Sequence, residues 1–268
     1  MRCAILADIH GNSLALDAVL ADIQARGGVD NYWILGDLCA LGYDPAGVVK
    51  RLSGLPNAIC VRGNADRYVV SGQFPPPTVA DVQADPSRAF VLAQVAGNFG
   101  WTVGHLKAAN CFDWLAALPF DYRLALPDST RVLLFHAHPT SDEGPGLNPA
   151  RSDTEIEAET SSTEADLICV GHFHMAMNRH MNGTHIINPG SVSNPQSHTD
   201  LRPAYALLEV DAEGYNIAFH KVDYDVEAAL EATRQSRNPG AEFNLRCLQG
   251  QVVAHWQSDW DGTTHAAY

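Results

Sequence analysis

Positive charge is scarce in this chain: 17 Lys and Arg stand against 31 Asp and Glu, for a formal net charge of −14. Proteins that hold long nucleic acids present dense cationic surfaces that displace condensed counterions, so a long nucleic acid is not expected as a partner. Long apolar runs are also missing. Asp8, His10 and Asn12 interrupt the first one, which argues against a leader peptide or a membrane span and leads us to expect a soluble, cytoplasmic protein with no membrane partner. The six cysteines, at 3, 39, 60, 111, 169 and 247, include no CxxC pair. Cys3, Cys60 and Cys169 fall inside apolar runs, so the set reads as reduced, buried small hydrophobes. Cys39 lies near Asp37, yet a site built from carboxylates and imidazoles does not require it. No internal repeat is present. The 268 residues, 46% of them apolar, suffice for a large core, and we expect one α/β domain over 1–268 with an insert.

What is abundant is a repeated arrangement: an apolar run that ends in a metal-ligating side chain. Cys3 to Leu6 leads into Asp8-Ile9-His10, and Tyr32 to Leu35 leads into Gly36-Asp37. Ile59 to Val61 leads into Gly63-Asn64-Ala65-Asp66, Val132 to Phe135 into His136-Ala137-His138, and Leu167 to Val170 into Gly171-His172-Phe173-His174. Buried strands that end this way would line their oxygen and imidazole donors along one rim of a sheet, where open α/β folds place ligands. Asp8 and His10, two residues apart on an extended backbone, would point the same way.

Asp8-x-His10, Gly36-Asp37-x4-Gly42, Gly63-Asn64-x-Asp66, His136 and Gly171-His172-x-His174 together resemble the calcineurin-like metallophosphoesterases. The resemblance runs from Met1 to roughly Val222. It includes Asn188-Pro189-Gly190-Ser191-Val192, which is similar to the segment after the last histidines in the bacterial YfcE-like branch. It departs at Ala65, where many relatives carry His within Gly-Asn-His-Asp.

The resemblance implies a four-layer αββα sandwich, two mixed β-sheets flanked by helices. It implies that Asp8, His10, Asp37 and His174 hold one divalent cation while Asp37, Asn64, His136 and His172 hold a second, with Asp37 bridging. Two such ions can activate a shared water and clamp phosphoryl oxygens in an in-line displacement, so no side-chain nucleophile is needed. Imidazole and carboxylate together suit Mn, Fe, Zn, Co or Ni. Mn²⁺ is the expected metal, because the resembling enzymes are commonly Mn-activated. The implied function is hydrolysis of a small phosphodiester by metal-activated hydroxide. A phosphomonoesterase, a protein phosphatase, a dinucleoside polyphosphate hydrolase and a noncatalytic partner-binding scaffold remain as alternatives. A scaffold would have let its ligands decay, and here every ligand position carries a suitable donor.

Other residues have open roles. Asp66 either orients a ligating imidazole or caps a turn. His138 and His105 either donate a proton or bind phosphate, or simply pack; Arg202 is a candidate for reaching a substrate phosphate. Asn64 would contact substrate as well as metal. His180, His185, His198, His220, His255 and His265 belong to no constellation and read as surface or interface residues.

Between the motifs, Leu16, Val19, Leu20 and Ile23 mark a helix from Ser13 to Arg26 that stops at Gly27-Gly28. Its first turn either helps hold an anion or only packs. A helix is expected over Pro45 to Leu52 before a strand from Ala58 to Val61. An insert at about 71–120, broken by Pro75-Pro76-Pro77, carries helical spacing over Ser87 to Gly100 and Asn110 to Leu118; it is either a cap beside the metal rim or a layer on the core. Ser141 to Pro149 has the composition of a mobile loop at the site's edge, and Asp153 to Glu164 that of a solvated helix. Ala204 to Val210 and Tyr215 to Val222 form a hairpin around Asp211 to Gly214, expected in the second sheet. The tail at about 225–268 begins with a helix over Asp225 to Arg234 and is expected to hold a short strand at Val252 to Trp256.

Overall fold

A computed structural model describes residues 1–193 and 199–251. Alternation along the strands dictates its layers. In strand β1 (Arg2–Leu6), Ala4 and Leu6 face a cluster shared with helices α1 (Ser13–Ala25) and α2 (Pro45–Ser53), whereas Cys3 and Ile5 face the opposite way. The same division repeats in β2 (Asn31–Leu35), with Tyr32 and Ile34 toward the helices and Trp33 and Leu35 away from them. Side chains with a period of two on a strand buried on both faces leave no polar side.

The inward residues meet Val132 and Leu134 of β5 (Arg131–Phe135) and Leu167 and Cys169 of β6 (Leu167–Cys169), which belong to a second sheet. On the far side of that sheet, Leu133, Phe135 and Ile168 bury Ile156 of α7 (Asp153–Thr160). The protein is therefore helix, sheet, sheet, helix, as expected.

Each sheet is mixed and has five strands. The first runs β10 (Tyr215–Lys221), β9 (Ala204–Val210), β1, β2, β3 (Ala58–Val61). The second runs β4 (Asp121–Ala125), β5, β6, β8 (Thr184–Pro189), β7 (Ala176–Met181). The β9–β10 hairpin forms as expected but belongs to the first sheet. β9 lies antiparallel to β1, pairing Cys3 with Leu208 and Ile5 with Ala206, so that Ala206 and Leu208 join the inter-sheet core. Within each sheet β1, β2 and β3, or β5, β6 and β8, are parallel, and their carboxyl ends share one rim.

The insert contributes α4 (Val79–Ala84) and α5 (Ala89–Ala108), followed by the short α6 (Phe112–Ala116). Helix α5 runs past the expected end at Gly100. Its Val95, Phe99 and Leu106 are buried in the same cluster as α1 and α2, so this helix builds the domain's wall. It also packs against α3 (Asn64–Ser71), which sequence periodicity had not marked. The tail supplies α8 (Val226–Gln235), with Asp225 as its N-cap, and α9 (Ala241–Leu248). The strand expected at Val252 to Trp256 lies outside the described residues, as do His198, His255 and His265. Among the described residues no helix is long and apolar enough to cross a membrane.

All six cysteines are free, and burial pushes the Cys39 thiol far up, which suits a packed hydrophobe. His185, expected at the surface, is instead buried: it stacks on His180 with ring centroids 3.7 Å apart, and its nitrogens reach Tyr215 Oη and Asn178 Oδ1. His105 packs tilted against Trp101 one helical turn away, with ring centroids 3.9 Å apart.

Candidate metal centre

Asp8, Asp37 and Asn64 follow β1, β2 and β3 of the first sheet, while His136 follows β5 and the His172–His174 pair follows β6 of the second. The two rims are tied across the inter-sheet core. His136 Nδ1 donates to the Leu35 carbonyl at 2.6 Å, the His172 backbone N–H reaches the Asp8 carboxylate at 3.1 Å, and the Val192 N–H donates to the Ala7 carbonyl at 3.1 Å. Gly36 makes the approach possible, since a Cβ there would lie 2.8 Å from His136 Nδ1 and its φ is +87°.

The extended backbone expected at Asp8-x-His10 is not what brings these side chains together. Asp8 and His10 have φ of +56° and +45°, and Asp37, His172 and His174 share this left-handed conformation at +55°, +72° and +55°. Non-glycine residues held there cost on the order of 1–3 kcal/mol each, and such strain gathers at functional sites. The surrounding backbone holds them in place: the N–H groups of Ile9 and His10 both donate to the Asp37 carbonyl, and Ser191 Oγ donates to the Asp8 carbonyl at 2.8 Å.

On one side, His10 Nε2 lies 3.1 Å from His174 Nε2 and 3.8 Å from Asp37 Oδ2, and His174 Nε2 lies 3.4 Å from Asp8 Oδ1. His10 Nδ1 is buried without a partner. On the other side, His136 Nε2 lies 3.5 Å from Asp37 Oδ1 and 3.2 Å from Asn64 Oδ1, and Asn64 Oδ1 lies 3.1 Å from His172 Nδ1. Asp8, His10 and His174 converge closely enough to share an ion, and so do Asp8, Asp37 and His136. Apart from a proton on His136, and with the Asn64 amide in its assigned orientation, imidazole nitrogens and oxygens face one another here with few protons between them. That donor set fits divalent cations.

Burial pushes His10 and His172 down to about 4, so both rings are neutral at physiological pH and able to ligate. Burial opposes charge on His136 too, but the Asp37 carboxylate, by charge and hydrogen bond, and then Asp8 raise it to about 10. Asp37 goes well below the usual carboxylate range: burial resists ionisation and is outweighed by His136, His10 and His172. Without a cation, a proton on His136 offsets the buried carboxylates.

Asp66 does not orient an imidazole. Its Oδ1 accepts from the Leu38 N–H and its Oδ2 from the Gly63 N–H, each at 2.9 Å, so it caps α3 and ties the Asp37 loop to the Asn64 turn. Burial and the Asp37 charge push it up to about 7, against those two amides. Asp66→Ala should destabilise the protein by about 2–3 kcal/mol, because two buried amides lose their acceptor; urea unfolding of the metal-free protein measures it.

His138 is turned to other work. Its Nδ1 accepts from the Thr140 N–H in its own turn at 3.1 Å and its Nε2 meets Glu159 of α7 at 3.2 Å, so both nitrogens are engaged. Arg202 forms a two-pronged pair with Asp200 at 2.9 and 3.0 Å on the surface, and Lys221 joins the same carboxylate. The structure therefore brings together the candidate ligands and leaves His138 and Arg202 committed elsewhere. It adds residues that sequence reading had not assigned to the site. Asn188 Nδ2 donates to the Gly171 carbonyl at 2.6 Å, steadying the turn before His172. The Gly144 carbonyl, in the loop expected at the site's edge, accepts from His172 Nε2 at 3.2 Å.

Residues 1–213 match the calcineurin-like phosphoesterase superfamily domain, and the chain belongs to that superfamily. An uncharacterized protein of Methanocaldococcus jannaschii is 28% identical over 252 residues, covering 88% of this chain and 93% of that one. Among solved structures, a metallophosphoesterase from Sphaerobacter thermophilus is 26% identical with a TM-score of 0.71, and a hypothetical protein from Pyrococcus horikoshii is 21% identical with a TM-score of 0.76. Each comparison covers 94% of this chain and 99% of the other.

Proposed function

We propose that this protein is a phosphodiesterase that hydrolyses a small phosphoester with the help of two divalent cations, Mn²⁺ before Fe, Zn, Co or Ni. One observation carries the reading: the two oxygens of Asp37 face different imidazoles, Oδ2 toward His10 and Oδ1 toward His136. A carboxylate split in this way suits a bridge. Asp8, His10, Asp37 and His174 would hold one cation, and Asp37, Asn64, His136 and His172 the other. When bound, such a pair lowers the pKa of water and offsets charge on phosphoryl oxygens.

The chain's own residues supply orientation. The Leu35 carbonyl holds the His136 proton on Nδ1 and turns Nε2 to the centre; the Ala65 N–H donates to Asp37 Oδ1 at 2.8 Å and fixes the carboxylate plane. Asp66 keeps the two loops that carry Asp37 and Asn64 at a constant separation. The sheets and the buried turn at Gly146, Leu147 and Asn148 exclude water from behind the imidazoles.

The test begins with a chelator-stripped preparation verified by elemental analysis. We expect no hydrolysis of bis-nitrophenyl phosphate, mono-nitrophenyl phosphate or dinucleoside polyphosphates until a divalent cation is added, and the highest recovery with Mn²⁺. Full activity in the verified metal-free protein would refute the reading. A best rate on the monoester or the dinucleotide would move the assignment to a phosphomonoesterase or a dinucleoside polyphosphate hydrolase at the same site.

A further inference from the structure

The loop that follows Asp37 lies backbone to backbone on the turn that carries His10. A Cβ at Gly42 would collide with the His10 carbonyl, and one at Gly11 would lie 2.7 Å from the Cys39 carbonyl oxygen. Hydrogen bonds lace the two turns together: the Gly11 N–H donates to the Leu38 carbonyl and the Asp44 N–H to the Gly11 carbonyl, each at 2.9 Å. The loop from Leu38 to Gly42 is therefore the surface on which the His10 turn is shaped. Asp66 fastens the start of that loop through the Leu38 N–H. Its far end contains Leu41, a non-glycine residue with φ of +79°, in a conformation that persists where the surroundings enforce it.

Two buried asparagines supply the enforcement. Asn98 of α5 accepts from the Leu41 N–H on Oδ1 at 3.3 Å, and Asn238, in the connection between α8 and α9, donates from Nδ2 to the Gly42 carbonyl at 3.3 Å. The side chains meet each other at 3.0 Å, with Asn98 Nδ2 donating to Asn238 Oδ1, and they are 3% and 5% exposed. Backbone groups fix both amide orientations. The Leu41 N–H can only donate, so Asn98 presents its oxygen there; Asn238 Oδ1 also accepts from the Gly240 N–H at 2.8 Å, which leaves its nitrogen for the Gly42 carbonyl, an acceptor. Close packing holds the relay in place, since a Cβ at Gly240 would lie 2.5 Å from Asn98 Nδ2 and one at Gly97 2.8 Å from Pro239 Cβ.

We propose that Asn98 and Asn238 are positioning residues: by holding Leu41 and Gly42 they set the placement of the His10 turn, and with it the affinity of the cation that Asp8, His10, Asp37 and His174 would share. This rests on the proposed function for the cation but not for the placement of the turn. The relay connects the helical insert and the C-terminal helices to the metal rim, and Asn238 lies beyond residues 1–213, which match the superfamily domain. The cation assigned to Asn64, His136 and His172 takes those ligands from turns outside the relay and shares Asp37 alone with the loop, so the two cations should respond differently.

The experiment uses the full chain carrying Asn238→Ser, whose hydroxyl can still accept from the Gly240 N–H two residues on but is too short to reach the Gly42 carbonyl. In metal-free protein, amide hydrogen exchange at Gly11, Leu41 and Asp44 is expected to speed up by about tenfold, the loss of about one net hydrogen bond, while the amides of β1 and β2 keep their protection. Calorimetric Mn²⁺ titration should then show one equivalent weakened by about tenfold, the lower end of the effect of outer ligand partners, and the other unchanged. The weakened equivalent should be the one that His10→Gln loses. Asn98→Ser provides the same readings if Asn238→Ser does not fold. Leu230→Ala, which loosens the packing of α8 without touching the relay, is expected to keep both affinities. Wild-type exchange at Gly11 and Asp44 in a folded variant overturns the proposal, and so do unchanged affinities. Equal weakening of both equivalents, or selective weakening in Leu230→Ala as well, overturns it by marking a general structural role. A wild type that binds no divalent cation would refute the proposed function instead, and the exchange rates alone would then decide the placement of the turn.

Discussion

Asp37→Asn is expected to remove nearly all hydrolysis, by about 10²–10³-fold or more, the loss typical when one preorganised electrostatic group is taken from a site. The direction of the damage follows from the surroundings. The Ala65 N–H donates to Asp37 Oδ1, so the Asn variant keeps its oxygen on that side and turns its NH₂ toward His10. An NH₂ cannot ligate. The Asp8, His10 and His174 side should therefore lose cation affinity first, and elemental analysis of the purified variant should find the deficit. The backbone bonds from Ile9 and His10 go to the Asp37 carbonyl rather than to its side chain, so the loops should stay in register. Wild-type activity in a folded Asp37→Asn protein would show that the carboxylate does not bridge.

The second large effect concerns leaving groups. A positioned general acid commonly contributes 10²–10⁴-fold, and many relatives carry a histidine where this chain has Ala65. His138 cannot readily replace it, since Thr140 and Glu159 engage both of its nitrogens. Hydrolysis of aryl phosphodiesters should therefore fall steeply as the leaving phenol becomes more basic, and kcat/KM for bis-nitrophenyl phosphate should exceed that for the monoester. A flat dependence across the series would identify a proton donor elsewhere in the site. Introducing the histidine is a less clean test than the sequence suggests. Ala65 is 4% exposed and sits in the core cluster on the helix side of the first sheet, so Ala65→His would be an overpacking change costing about 1–3 kcal/mol. Its kinetics have meaning once unfolding experiments show that the variant is native.

The rim of candidate ligands was legible because apolar runs and polar endings are one-dimensional signals: each of Asp8, Asp37, Asn64, His136 and His172 directly follows a strand that the composition already marked. What the runs do not encode is neighbourhood. Alternation in Ala204 to Val210 identifies a strand and its faces, but its partner is β1, some two hundred residues away, and the hairpin was expected in the wrong sheet. Strand β7 escaped because Asn178, Arg179 and His180 interrupt its apolar pattern, and β4 because its residues are largely exposed at a sheet edge. Helix α5 ran beyond its expected end at Gly100 because glycine disfavours helix in isolation, while Thr102 and Leu106 gain enough burial to continue it. Within the site, motif spacing correctly suggested that Asp8 and His10 converge, yet the cause is a left-handed turn and not an extended strand. Asp66 and Arg202 show a further limit. Which partner a charged side chain takes depends on backbone amides and surface carboxylates that no motif names.

The division of the candidate ligands between the two sheets would give cation binding a role in assembly. The first sheet brings Asp8, His10, Asp37 and Asn64 to the rim, and the second brings His136, His172 and His174. Neither sheet alone offers the full set: the first carries a single imidazole, and the second carries no carboxylate. A chain that has formed one sheet and not the other would bind the ions weakly, whereas the closed sandwich would bind them well. The ions would then act as a clasp whose tightening is thermodynamically linked to docking of the sheets, and the centre would report whether the whole sandwich has closed.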